Sequence, residues 1–108
     1  MTVDLAARTD VDLLRALADP VRARIVELLS REQLCVCHLT EELDAAQPLV
    51  SHHLKVLREA GLVESERWRY WTYYRLQPDA LRAAASRIED LADGASDCAD
   101  ARARRPCC

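Results

Sequence analysis

The feature that most constrains this chain is a change of apolar period at Gly61. In "PLVSHHLKVLREAGLV" the residues Val50, Leu54 and Leu57 recur at the spacing of one helical face, and Gly61 follows the last of them. A glycine just past the last periodic residue is the usual end of a helix in the left-handed conformation. Beyond it the pattern alternates. "LVESERWRYWTYYRL" interleaves Val, Trp, Tyr and Thr with charges, which predicts a β-hairpin with strands near 62–67 and 70–76, turning at Trp68 and Arg69. A helix running directly into a hairpin leaves few folds open to 108 residues, a length sufficient for one core and not two.

The other segments are helical. "VDLLRALADP" puts Leu13, Leu14 and Leu17 on one face, and Asp19 with Pro20 ends that helix and starts another. The second carries Val21, Ile25, Leu28 and Leu29 and ends near Ser30, while Val36, Leu39 and Leu43 define a short third helix that breaks at "DAAQP". Two helices joined by so few residues form a helix-turn-helix. Pro78 restarts helix in "PDALRAAASRIEDLADG", with Leu81, Ala84, Ile88 and Leu91 on one face and Gly94 as the expected stop.

The expected fold is therefore mainly α with a β-hairpin wing, a winged helix-turn-helix. Residues 1–94 form the domain, and 95–108, "ASDCADARARRPCC", form a flexible cysteine-containing tail. Half the residues are apolar, but Phe is absent and Leu, Val and Ala supply the burial. That composition favours packed helices, and with little aromatic bulk such a core is commonly completed by dimerisation.

The formal charge of −3 argues against a general nucleic-acid binder until the charges are located. Residues 47–76 hold five basic side chains against three acidic ones, so an acidic chain carries one mildly basic segment. With Val50, Leu54 and Leu57 turned inward, Ser51, His52 and Lys55 face outward with Arg58 or Glu59. The second helix of a helix-turn-helix presents its N-terminal residues to base edges, which makes Gln47, Ser51, His52 and Lys55 the expected readers of double-stranded DNA. Gln47 and the free amides of the first turn also suit a phosphate. Arg67, Arg69, Tyr70 and Arg75 make the hairpin a basic, aromatic arm for phosphate and minor-groove contact. His53 is expected to pack or to cap.

The segments "ALADPVRARIVELL", "LCVCHLTEELDAAQPLVSHHLKVLREAGLVESER" and "YYRL" resemble the ArsR/SmtB family of metal-responsive bacterial repressors over roughly Asp10 to Leu91. The resemblance implies a homodimer pairing through the first and last helices, bound to palindromic operator DNA and released when an ion binds. Members commonly have Gly in the hairpin turn, where this chain has Arg69. Ala46 stands where a polar capping residue is usual, so a weaker helix cap is expected.

Five cysteines in a short chain of cytoplasmic type point to metal ligation or redox chemistry before disulfides. Cys35 and Cys37 begin the third helix, and their thiolates would select soft or borderline ions: arsenite, antimonite, cadmium, lead, zinc or cuprous copper. On an ideal helix residues two apart lie about 200° apart around the axis, so both sulfurs reach one ion only if the first turn unwinds. "LCVC" at this place looks like the site of the arsenite and antimonite sensors, which makes As(III) or Sb(III) the expected inducer. The further cysteine those sensors often carry is Thr40 here, and the usual Asp after the pair is His38. Candidate third ligands are therefore Cys98, Cys107 and Cys108 of the tail, or His38, which suits zinc or cadmium better. The three tail cysteines could also form a site of their own, as in some other arsenic-responsive members.

A cadmium-, lead- or zinc-responsive repressor of the same fold is the alternative, and a thiol redox switch is the rival from another class. An enzyme is not expected, for the chain has no C-x-x-C, no βαβ pattern and no glycine-rich loop. No apolar run approaches a bilayer span and the first residues lack an export pattern, so the cytoplasm is the expected location, with no membrane partner.

Overall fold

A computed structural model describes residues 5–97. Helix α1 (Leu5–Leu17) is followed by α2 (Pro20–Leu29), strand β1 (Leu34–Cys35), α3 (Val36–Leu43) and α4 (Gln47–Glu59). The hairpin β2 (Val63–Trp68) and β3 (Trp71–Leu76) comes next, and α5 (Pro78–Asp97) completes the order. The mainly helical, winged helix-turn-helix architecture expected from the apolar periods is present.

Local chemistry sets the joints. Asp19 caps α2, its Oδ1 accepting from the amides of Val21 at 2.8 Å and Arg22 at 3.1 Å, with Pro20 in the first turn where its missing N–H costs nothing. Asp44 ends α3 in a left-handed conformation, φ 48°. Ala46, as expected, offers α4 no side-chain cap. At the other end of α4 the amide of Leu62 donates to the Leu57 carbonyl and that of Gly61 to Arg58, both at 3.0 Å, with Gly61 at φ 82°. This paired closure is the Schellman motif, and it turns the chain from the helix into β2 within two residues.

Val50, Leu54, Leu57, Leu62 and Val63 are almost wholly buried and meet Ile25, Leu28 and Leu29 of α2, Leu39 of α3, Leu13 of α1 and Ala84 of α5 in one core. Burying each such aliphatic side chain contributes about 1.5–3 kcal/mol, so the inward stripe of α4 holds that helix against all its neighbours.

Four expectations need correction. β1 was not anticipated: Leu34 pairs with Tyr74 and Cys35 with Tyr73, giving a three-stranded antiparallel sheet ordered β1-β3-β2. Two residues are too few to carry an alternating pattern, and only the partner strand reveals them. The hairpin turns one residue later than expected, at Arg69 and Tyr70, because Trp68 pairs with Trp71 as the last rung of the ladder. Gly94 does not stop α5, which runs on to Asp97. A helix-interior glycine is tolerated at a cost of about 1 kcal/mol when nothing else ends the helix. Lastly, Leu14, Ile88 and Leu91 of the expected inward stripes are exposed, as is Val11, so within one copy the stripes of α1 and α5 are only partly covered. Residues 95–97 of the expected flexible tail are helical, and the rest of it, with Cys98, Cys107 and Cys108, lies outside the described residues.

Candidate functional site

The outer face of α4 carries the expected polar set. Gln47, Ser51, His52 and Lys55 are all exposed, with Val50, His53, Leu54 and Leu57 directed to the core. Positions 47, 51 and 55 are four apart and share one face, and His52 lies beside them. The side chains are uncovered and carry the donors and acceptors that base edges require.

His53 behaves as the packed histidine expected. It is 7% exposed, and its Nδ1 lies 3.2 Å from Nη1 of Arg22. The same guanidinium donates through Nε to the carbonyl of Ala16 at 2.7 Å, so one arginine ties α1, α2 and α4 together. The amide of Arg22, opposed by desolvation and then reinforced by the Val21 amide and the Arg22 charge, holds the Asp19 carboxyl below its ordinary pKa. Sequence reading assigned Arg22 nothing, because its partners lie 6 and 31 residues away.

The wing carries Arg67 on β2 and Arg69 in the turn, both exposed. Arg69 has φ 57°, the region in which a glycine would sit without strain, and its guanidinium carbon lies 4.7 Å from the centre of the Trp68 ring. Nε of Arg67 reaches the carbonyl of Arg69 at 3.5 Å. Arg75, grouped with these in the expected basic arm, is committed across the ladder. It meets Glu64 at 2.9 Å and Glu66 at 3.7 Å, and the Glu64 hydrogen bond and charge raise its pKa. The free positive charge of the hairpin is therefore concentrated towards its tip. Arg58 is also engaged, Nη1 donating to Ser65 Oγ at 3.3 Å.

The cysteine pair differs from its expected geometry. Cys35 is not a helical residue: it is the N-cap of α3, extended at φ −88° and ψ 170°, and it belongs to β1. Its side chain is buried and Cys37, two positions on in the first turn, is exposed. The two thiols are thus separated by the boundary between strand and helix, not by half a turn of helix. His38 completes this corner, its Nδ1 lying 3.2 Å from Cys35 Sγ and 3.3 Å from the Cys35 amide that donates to it. A residue at the third helical position reaching back to the cap amide is the reciprocal half of a capping box, and the three-residue spacing was the signal available in the sequence. Thr40, at the place of the family's further cysteine, donates from Oγ1 to the carbonyl of Cys37 at 2.8 Å.

Among the described residues no three His, Cys, Asp or Glu side chains are grouped to hold a metal ion. Cys35 and His38 are the two soft-ion donors already together. Cys98, Cys107 and Cys108 lie outside the described residues.

Comparison with known proteins gives a consistent picture. Residues 19–65 match a family described as bacterial regulatory protein, arsR family. The arsenic resistance transcriptional regulator ArsR1 of Pseudomonas putida is 42% identical over 80 residues, covering 73% of this chain and 62% of that protein. The transcriptional repressor SmtB of Mycobacterium tuberculosis is 52% identical over 65 residues, 60% of this chain and 48% of that repressor. This chain thus spans less than two thirds of the first of those relatives and just under half of the second. A crystal structure described as a possible transcriptional regulator for arsenical resistance superimposes with a TM-score of 0.68 at 32% identity, over 82% of this chain and 98% of that one.

Proposed function

This chain belongs to the arsR family of bacterial regulatory proteins, a family of DNA-binding transcription regulators, and on that premise we propose that it is a homodimeric operator-binding repressor released by trivalent arsenic or antimony at Cys35 and Cys37. Gln47, Ser51, His52 and Lys55 read the major groove, and Arg67 and Arg69 bind the flanking backbone and minor groove. The partly uncovered stripes on α1 and α5, with Val11, Leu14, Ile88 and Leu91 exposed, pair the two copies.

The observation that carries the inducer reading is the position of Cys35. Its backbone is hydrogen-bonded into the wing's sheet opposite Tyr73, and it is also the cap of α3, which packs on α4. A change at this one residue is felt by the wing and by the recognition helix together. The donors fit a soft ion in kind, two thiols with an imidazole beside them. For both sulfurs to serve one ion, Cys35 must leave its buried position or the first turn of α3 must rearrange towards it. That movement weakens DNA binding, and linkage requires DNA to weaken ion binding equally. The third sulfur comes from the tail, from Cys107, Cys108 or Cys98.

A second reading within the family is favoured by His38, whose nitrogen 3.2 Å from Cys35 Sγ suits cadmium or zinc. The test is fluorescence anisotropy of an in vitro selected duplex bound to the full chain under reducing conditions. Arsenite, antimonite, cadmium and zinc are titrated against wild type, the Cys35→Ser/Cys37→Ser variant and a chain truncated after Asp97. Release by arsenite from wild type and not from the double variant supports the proposal, and the truncation shows whether the tail contributes. Release only by cadmium or zinc favours the second reading, and release only by an oxidant favours a thiol switch.

A further inference from the structure

The tip of the wing holds more than free charge. Its four residues are Trp68, Arg69, Tyr70 and Trp71, and the two tryptophans are the only ones in the chain. Trp68 is 56% exposed, Tyr70 87% and Trp71 46%. Three uncovered aromatic rings at the end of a two-residue turn are an unusual use of apolar surface, since an exposed ring gains nothing for folding.

The local geometry organises them. Tyr70 and Trp71 meet edge to face at 6.1 Å, while Trp68 takes the Arg69 guanidinium on its ring. Arg69 occupies its left-handed backbone conformation, costly for a residue with a Cβ, where glycine would serve. Among the described residues neither Arg67 nor Arg69 has a carboxylate within ion-pair distance, in contrast to Arg75 lower on the same hairpin. The tip therefore presents one guanidinium, restrained by a ring and uncancelled by any carboxylate, at the end of a narrow ribbon.

Resting on the DNA-binding reading above, we propose that this tip is a specificity element: Arg69, positioned by Trp68, reads the narrow minor groove of A·T-rich sequence flanking the major-groove site. Narrow A·T-rich grooves concentrate negative potential and attract inserted arginine. A guanidinium is weakly hydrated and stacks on aromatic faces, so holding it over a ring reduces both the water it sheds and the freedom it loses on insertion. A charge that only neutralised phosphate would need neither the ring nor the strained turn, and would be indifferent to the flanking bases. Trp68 is a positioning residue, and Arg69 makes the contact.

The experiment uses the full chain and two duplexes with the same selected core, one flanked by A·T pairs and the other by G·C pairs, at one fixed salt concentration. Wild type is expected to prefer A·T flanks by about tenfold, in the range of other groove-reading contacts. Tryptophan emission should change more on the A·T-flanked duplex. Trp68→Ala should reduce the preference to about twofold or less, with Arg69 still present, and Trp68→Phe should restore it through its ring face. Arg69→Gly guards against misfolding, because the turn conformation suits glycine; it too should lose the preference. Equal wild-type affinity for both flanks, or an unchanged ratio in Trp68→Ala or Arg69→Gly, overturns this proposal alone. Failure of wild type to bind any duplex overturns the repressor reading with it.

Discussion

Replacing each of the two glycines with alanine should change stability in opposite directions. Gly61 has φ 82°, and a Cβ built on it meets no atom within 4 Å, so Gly61→Ala encounters no steric obstacle. The cost is that of the left-handed backbone, about 1–2 kcal/mol, partly offset by about 0.4–1 kcal/mol because alanine gives the unfolded chain less freedom. A net loss of about 1 kcal/mol follows. Gly94 also has open space around its Cβ position but lies within α5 without a positive φ, so Gly94→Ala should gain about 0.5–1 kcal/mol. For a domain of this size 1 kcal/mol moves the melting midpoint by about 4–8 °C. Thermal melts at one protein concentration, fixed because dimerisation would make the midpoint depend on it, should show Gly61→Ala below wild type and Gly94→Ala above. A Gly61→Ala protein melting at or above wild type would refute the reading of the α4 terminus, and a lower midpoint for Gly94→Ala would refute the continuation of α5.

Three other outcomes are expected. Arg22→Ala deprives the buried His53 nitrogen and the Ala16 carbonyl of their shared donor, and chemical denaturation should show a loss of about 1–3 kcal/mol. The Asp19 carboxyl is held below its ordinary value of 3.8, so its stabilising effect is complete above that pH and is lost as the pH falls through the lower native value. The stability difference between wild type and Asp19→Asn should accordingly be constant near neutrality and shrink in acid. Cys35→Ala, which empties a buried position, should cost about 1 kcal/mol, whereas Cys37→Ser should stay within about 0.5 kcal/mol of wild type, yet each single variant should abolish release of DNA by arsenite.

What was legible in the sequence is what short-range physics controls. The 3.6-residue stripe of Val50, Leu54 and Leu57, the Asp19-Pro20 start, the Gly61 stop and the alternation after it each depend on neighbours within one or two turns. They fixed the helices, the hairpin and the outward face bearing Gln47, Ser51, His52 and Lys55. Tertiary structure decided whatever needs a partner far along the chain. Leu34 and Cys35 are a strand only because Tyr73 and Tyr74 lie opposite, and this takes Cys35 out of the helix and buries it. Arg75 is ion-paired only because the register sets Glu64 across from it, and Arg22 matters only because folding brings His53 to it from 31 residues away. A pattern can state which face of an element is apolar. Which groups that face meets, and so which charges and thiols stay free for a ligand, is set by packing between elements, to which no local period refers.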